Sequence, residues 1–131
     1  MEPLDPQIIA RYWLAKWDDT GTESEKELNS WVDNAYFSAR DHDADYFFKI
    51  VEAIHEQDIL QEHIEVVAAG PVEDLLAHHG EKVIERVVAL ATSDPKFAQV
   101  LGGVWKSDME DSVWELVRKH RDTSIWADAR D

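Results

Sequence analysis

At 131 residues, 44% hydrophobic and 31% charged, the chain is one domain's worth of globular sequence. It has no cysteine, which excludes disulfides, thiolate nucleophiles and Cys-type zinc sites, and no apolar run near the roughly 18 residues of a membrane span. Its formal net charge of −15 makes phosphate backbones and anionic lipid unfavourable partners and a basic protein or a cation favourable ones, although solubility alone also accounts for an acidic surface. The charge is uneven: Asp18 to Glu65 holds 14 acidic residues against Lys26, Arg40 and Lys49, a net of −11. The opening Met1-Glu2-Pro3-Leu4-Asp5-Pro6 has neither a basic n-region nor an apolar h-region, so a cytoplasmic protein is expected.

Helix punctuation recurs along the chain. Asp5-Pro6 sets a capping carboxylate before a proline at the first helical position, and Ile9, Tyr12, Trp13 and Trp17 follow at helical spacing. Asp18-Asp19-Thr20-Gly21 breaks that helix. Thr22 with Glu25 reads as a capping box for a second one, whose Leu28, Trp31, Val32 and Ala35 share a face. A third starts near Asp43 and buries Phe47, Ile50, Val51 and Ile54, leaving Asp45, Lys49, Glu52 and Glu56 outside. Asp58 with Gln61 caps a fourth, with Leu60, Ile64 and Val67 inside and Glu62 and Glu65 outside.

The fourth helix is expected to end at Ala68-Ala69-Gly70, with Pro71 restarting the chain and Glu73 and Asp74 in a new first turn. Gly80 then reads as the C′ residue after His79. Val83, Ile84, Val87, Val88, Leu90 and Ala91 mark a central helix, apolar around much of its circumference. Asp94-Pro95 repeats the cap-plus-proline device and opens a short helix that Gly102-Gly103 stops. Ser107 with Glu110 caps a last helix with Met109, Val113, Leu116, Val117 and His120 on one side. Beyond Arg121 the sequence is a polar tail in which only Ile125 and Trp126 offer an anchor.

No alternating period-2 segment of useful length occurs, so the fold class is all-α. A single domain over 1–131 of about seven or eight short helices is expected, in antiparallel hairpins that stack as in HEAT arrays or form an irregular bundle, with the polar tail from about 121. There is no strict internal repeat to decide between those two.

The run Ala68-Ala69-Gly70-Pro71-Val72-Glu73-Asp74-Leu75-Leu76, then His79-Gly80-Glu81, Asp94-Pro95-Lys96-Phe97 and Gly103-Val104-Trp105, resembles a family of small bacterial domains of unknown function. Its core pattern is A-G-P-(L/V)-E-D-L-L, H-G-E, D-P-x-F and G-V-W, here within residues 68–105. The resemblance implies a helical domain and no particular activity. Caps, breaks and packing residues make up most of the pattern, which suits a fold signature.

No catalytic, metal or cofactor constellation stands out. Ile59 occupies the position where an H-E-x-x-H motif begun at His55-Glu56 would need its second histidine. His78-His79 sits where a histidine meets the negative end of a helix dipole. Glu73 and Asp74 with His78 and His79 are the one set from which acid–base or metal chemistry is conceivable, and first-turn capping explains the two carboxylates equally well. Gly102-Gly103 lacks the lysine and hydroxyl of a phosphate loop, and no serine lies in a G-x-S-x-G elbow.

The expected function is therefore that of a non-enzymatic acidic domain binding a basic protein, in its concrete form an inhibitor or immunity-type partner of a toxin. Asp45, Glu52, Glu56, Glu62 and Glu65 are the candidate partner-binding residues. The alternative is a small helical scaffold or assembly subunit, homo-oligomeric through exposed Trp126, Trp114 or Trp17. A metal-dependent enzyme ranks third. No cofactor, membrane or direct nucleic-acid partner is expected, and the sequence leaves the oligomeric state open.

Overall fold

The computed structural model describes residues 4–18, 23–57 and 64–126, and among these the fold is all-α. The helices are α1 (Pro6–Asp18), α2 (Glu23–His42), α3 (Ala44–Glu56), α4 (Ile64–Val67), α5 (Glu73–Ser93), α6 (Pro95–Gly102) and α7 (Asp111–His120), with a π-helical segment at Ala68–Val72. They gather into two compact units, residues 1–59 and 60–131.

In the first unit α1, α2 and α3 pack on one another. The caps are as the sequence predicts where they can be seen. The Asp5 carboxylate accepts from the Gln7 N–H at 2.8 Å, and that of Asp43 from Tyr46 at 3.1 Å. The Thr22–Glu25 and Asp58–Gln61 caps lie outside the described residues, as do the side chains of Trp17 and Leu28. Ile9, Ala10 and Trp13 from α1, Val32, Tyr36 and Ala39 from α2, and Phe47, Ile50, Val51 and Ile54 from α3 form the core. Tyr36 meets Phe47 edge to face, with ring centres 5.0 Å apart. Trp31 departs from expectation. It is 64% exposed, because the buried row of α2 is Val32, Tyr36 and Ala39, one residue further round.

In the second unit α5 is the hub, touched by α6, α7 and the π segment, which is an irregular arrangement about one long helix. The expected break at Gly70-Pro71 does not occur. The helix instead widens over Ala68–Val72, and the Glu73 N–H reaches the Ala68 carbonyl five residues back. Proline lacks an N–H and collides with the carbonyl four residues before it; the wider turn removes that conflict without ending the helix. The stop expected before Gly80 is present as a kink: His79 leaves helical geometry (φ −131°, ψ 16°), so residues 73–93 of α5 are two helical stretches joined there. Gly80 also lies against α7, where a Cβ would stand 3.0 Å from Cγ2 of Val113.

Asp94 caps α6 through the N–H groups of Lys96 and Phe97, as predicted. The Ser107 cap is not formed. Ser107 lies at φ 48° in a turn closed by the Met109 N–H on the Lys106 carbonyl at 3.0 Å, and α7 starts one residue past Glu110, which makes no side-chain cap. Of the face expected on α7, Met109, Val113 and Val117 are buried, but Trp114 joins them and Leu116 points outward. The segment after Arg121 is anchored by Trp126, which is half-buried, while Ile125 is exposed.

Candidate functional site

On α3, Asp45, Lys49, Glu52 and Glu56 follow one another at helical spacing, on the side opposite Phe47, Ile50 and Ile54. Asp45, Lys49 and Glu56 are exposed and Glu52 is half-buried, so this row presents three carboxylates around one ammonium. The far end of the row is tied to α1. The Gln7 amide donates to Glu56 Oε2 at 2.9 Å and accepts from the Gln57 amide at 2.8 Å. Glu65 is exposed on α4 in the second unit, and Glu62 lies outside the described residues.

Charge is concentrated in the first unit, which holds 14 acidic residues against 5 basic, a net of −9; the second holds 14 against 8, a net of −6. At the end of α7, Arg118, Lys119 and His120 meet the negative end of the helix dipole. Arg118 lies 3.5 Å from Glu115 and Arg121 stacks over the Trp114 ring at 5.2 Å.

The four residues from which enzyme chemistry was conceivable are not brought together in one cleft. His78 and His79 line a cleft of about 150 Å³ at the α5 kink, with Glu81, Lys82, Glu110 and Val113. Glu73 and Asp74 are not part of it, and a Glu73 carboxylate oxygen instead lies 3.5 Å from the Trp105 N–H. In their place the cleft pairs Glu81 with Glu110. The hydrogen bond between the two side chains, and then the Glu81 charge, push the Glu110 carboxyl above the ordinary range. Sequence reasoning missed this pair because its members are far apart in the chain and meet only through the Gly80–Val113 approach of α5 and α7. Among the described residues no three His, Asp or Glu side chains are grouped to hold a metal ion.

Of the tryptophans proposed to mark self-assembly, Trp114 and Trp126 are used within the second unit, and the side chain of Trp17 lies outside the described residues. Trp114 is buried, and Trp126 is half-buried with its indole N–H on the Gln99 carbonyl at 2.8 Å. Trp31 and Phe37 are the exposed aromatics of α2. Among the described residues no helix is long and apolar enough to cross a membrane.

A family model described only as a family of unknown function matches residues 19–125, well beyond the 68–105 segment that first pointed to such a family. No curated protein and no solved structure matches the chain.

Proposed function

The chain belongs to the DUF6869 family, and from the placement of its charge we propose that it is a non-catalytic acidic domain of the cytoplasm that binds a basic protein. The observation behind this reading is the α3 row, where Asp45, Glu52 and Glu56 line one face of a helix whose other face is fully packed. A rigid helix fixes the spacing of the carboxylates and can imitate an array of phosphates, so a basic cleft evolved for a polyanion is a natural target. In the sequence the acidic stretch continues with Glu62 and Glu65. An inhibitor or immunity partner of a basic toxin is the concrete form of this role.

A second reading, a small self-associating scaffold, draws its support from exposed Trp31 and Phe37. The two differ in their response to salt. The test is to capture the partner at low salt, elute it at high salt, and measure association kinetics for wild type and for Asp45→Lys, Glu52→Lys and Glu56→Lys combined. Asp45 and Glu56 are exposed and Glu52 half-buried, so the fold is expected to persist, with a lower melting temperature from loss of the Gln7–Glu56 hydrogen bond. The on-rate is expected to fall at least tenfold at low salt, with the difference closing at high salt. Equal on-rates at low salt would move the binding site off α3.

A further inference from the structure

A groove in the first unit suits one class of partner segment. On α2, Trp31, Ala35, Ser38 and His42 fall at i, i+4, i+7 and i+11, one row beside the buried Val32, Tyr36 and Ala39. Ala35, Ser38 and His42 form one wall of a groove of about 370 Å³, which Leu4, Asp43 and Tyr46 complete. The far edge is fixed by the Tyr46 hydroxyl, which donates to the Leu4 carbonyl at 2.5 Å and ties the start of the chain to α3. The small side chains of Ala35 and Ser38 leave the room. Trp31, one turn before Ala35 and 64% exposed, supplies an indole that the unit's own core does not use. From Trp31 to His42 the row is about 16 Å long, roughly three turns of an opposing helix.

The groove's electrostatics select the sign of its occupant. Asp43 lines it and Asp5 is close by, and both carboxylates, after burial, push the Tyr46 phenol up, which marks a negative potential at that edge. Arg40, the nearest cation on α2, is turned aside: it lies 3.1 Å from Asp41 and stacks on Phe37 at 4.7 Å. A second copy of this chain is a poor occupant, since a unit of net −9 would meet its own charge. A lysine-rich helix with an apolar stripe satisfies both the charge and the open groove.

We propose that the groove between α2 and the Leu4–Tyr46 edge docks a basic amphipathic helix of the partner protein, with Trp31 as its aromatic anchor. This rests on the acidic-binder reading and adds the contact that holds the complex once charge has steered it. Tryptophan is among the residues enriched where a few side chains carry most of a binding free energy.

The test is fluorescence anisotropy of a labelled 18-residue Leu/Lys amphipathic helix titrated with the full chain. Trp31→Ala and Ser38→Arg are expected to weaken binding at least tenfold. Trp105→Ala, an exposed tryptophan of the second unit, is expected to change it less than twofold. A peptide of equal charge with its leucines changed to serine is expected to bind at least tenfold more weakly. The melting temperatures of the two groove variants should stay within a few degrees of wild type, and if Trp31→Ala unfolds, Ser38→Arg decides alone. Wild-type affinity in both groove variants, or equal binding of the serine peptide, overturns the groove. So does wild-type self-association in sedimentation equilibrium that Trp31→Ala abolishes, because the face would then belong to a second copy. Loss of on-rate in the α3 triple variant with unchanged peptide binding in Trp31→Ala would sink the groove and keep the acidic reading. The reverse pattern would keep the groove and move the binding site off α3.

Discussion

The indole of Trp126 fills the space that a side chain at Gly103 would need: a Cβ built on Gly103 would stand 2.1 Å from Cζ2 of that ring. The neighbouring Gly102 is covered in the same way, its Cβ position 2.0 Å from the Asp122 carbonyl oxygen. Neither glycine has a positive φ, so closeness and not backbone freedom calls for glycine here. The Asp122 N–H on the Ala98 carbonyl at 2.9 Å and the Trp126 indole on Gln99 complete the attachment. Gly103→Val is therefore expected to expel Trp126 and cost about 2 kcal/mol, similar to Trp126→Ala, since a half-buried tryptophan loses part of the full truncation penalty. The double variant should cost little more than either single one, because each already removes the same contact. Urea unfolding of the four proteins checks this, and additive losses would separate Gly103 from Trp126.

Val87 has no exposed surface and lies on α5, the helix that the rest of the second unit surrounds. Val87→Asp buries a carboxylate without a partner, at a cost of several kcal/mol, comparable to the whole stability of a small domain. Unfolded or aggregated protein is expected by circular dichroism and size-exclusion chromatography. Glu85→Gln, on the exposed side of the same helix, should stay within about 0.5 kcal/mol of wild type.

Two carboxyls should respond to pH in opposite directions. Glu110 is raised by its hydrogen bond and charge contact with Glu81, so the folded protein holds its proton more tightly than the unfolded chain. Stability from that proton is present below the ordinary carboxylate range and is lost as pH rises through the raised value. Asp122 is lowered by the Ser124 hydroxyl and N–H, the latter at 2.9 Å, so its contribution is present above the ordinary range and lost as pH falls. Melting temperatures from pH 3 to 8, on the order of the range where carboxyls titrate, should show Glu110→Gln gaining on wild type as pH rises. Asp122→Asn should lose ground over the same interval. Parallel curves for both variants would mean that neither contact shifts its group.

Much of the helical content was legible because caps and periodicity are local. Asp5, Asp43 and Asp94 each announce a helix within four residues, and each does so in the structure. The errors arose where distant packing overrides the local signal. Pro71 reads as a break, yet the π turn at Ala68–Val72 keeps the chain helical through it, whereas the break read before Gly80 is present as the kink at His79. Trp31 reads as part of the apolar face because it falls at helical spacing with Leu28, Val32 and Ala35, but one residue's rotation about α2 decides which row is buried. For the candidate site, the row Asp45, Glu52 and Glu56 follows from the period of 3.6 alone. The Glu81–Glu110 pair has no such signature, since α5 and α7 bring its members together.

Lys49 offers a test of the acidic face in the opposite direction from charge removal. It is exposed and stands in the row between Asp45 and Glu52, the one cation among three carboxylates. If that row steers a basic partner, Lys49 opposes the attraction, and Lys49→Glu should raise the on-rate several-fold at low salt. The same substitution places like charges one turn apart, which destabilises a helix by about 0.2–0.5 kcal/mol per pair. Lys49→Glu is thus expected to bind faster while melting slightly lower, a combination that general stabilisation cannot produce. Raising the salt should bring its on-rate back to the wild-type value as the row is screened. Stopped-flow association with the captured partner at low and high salt, beside a thermal melt, measures both effects. An on-rate that is unchanged or slower at low salt would show that the partner approaches from another side of the molecule.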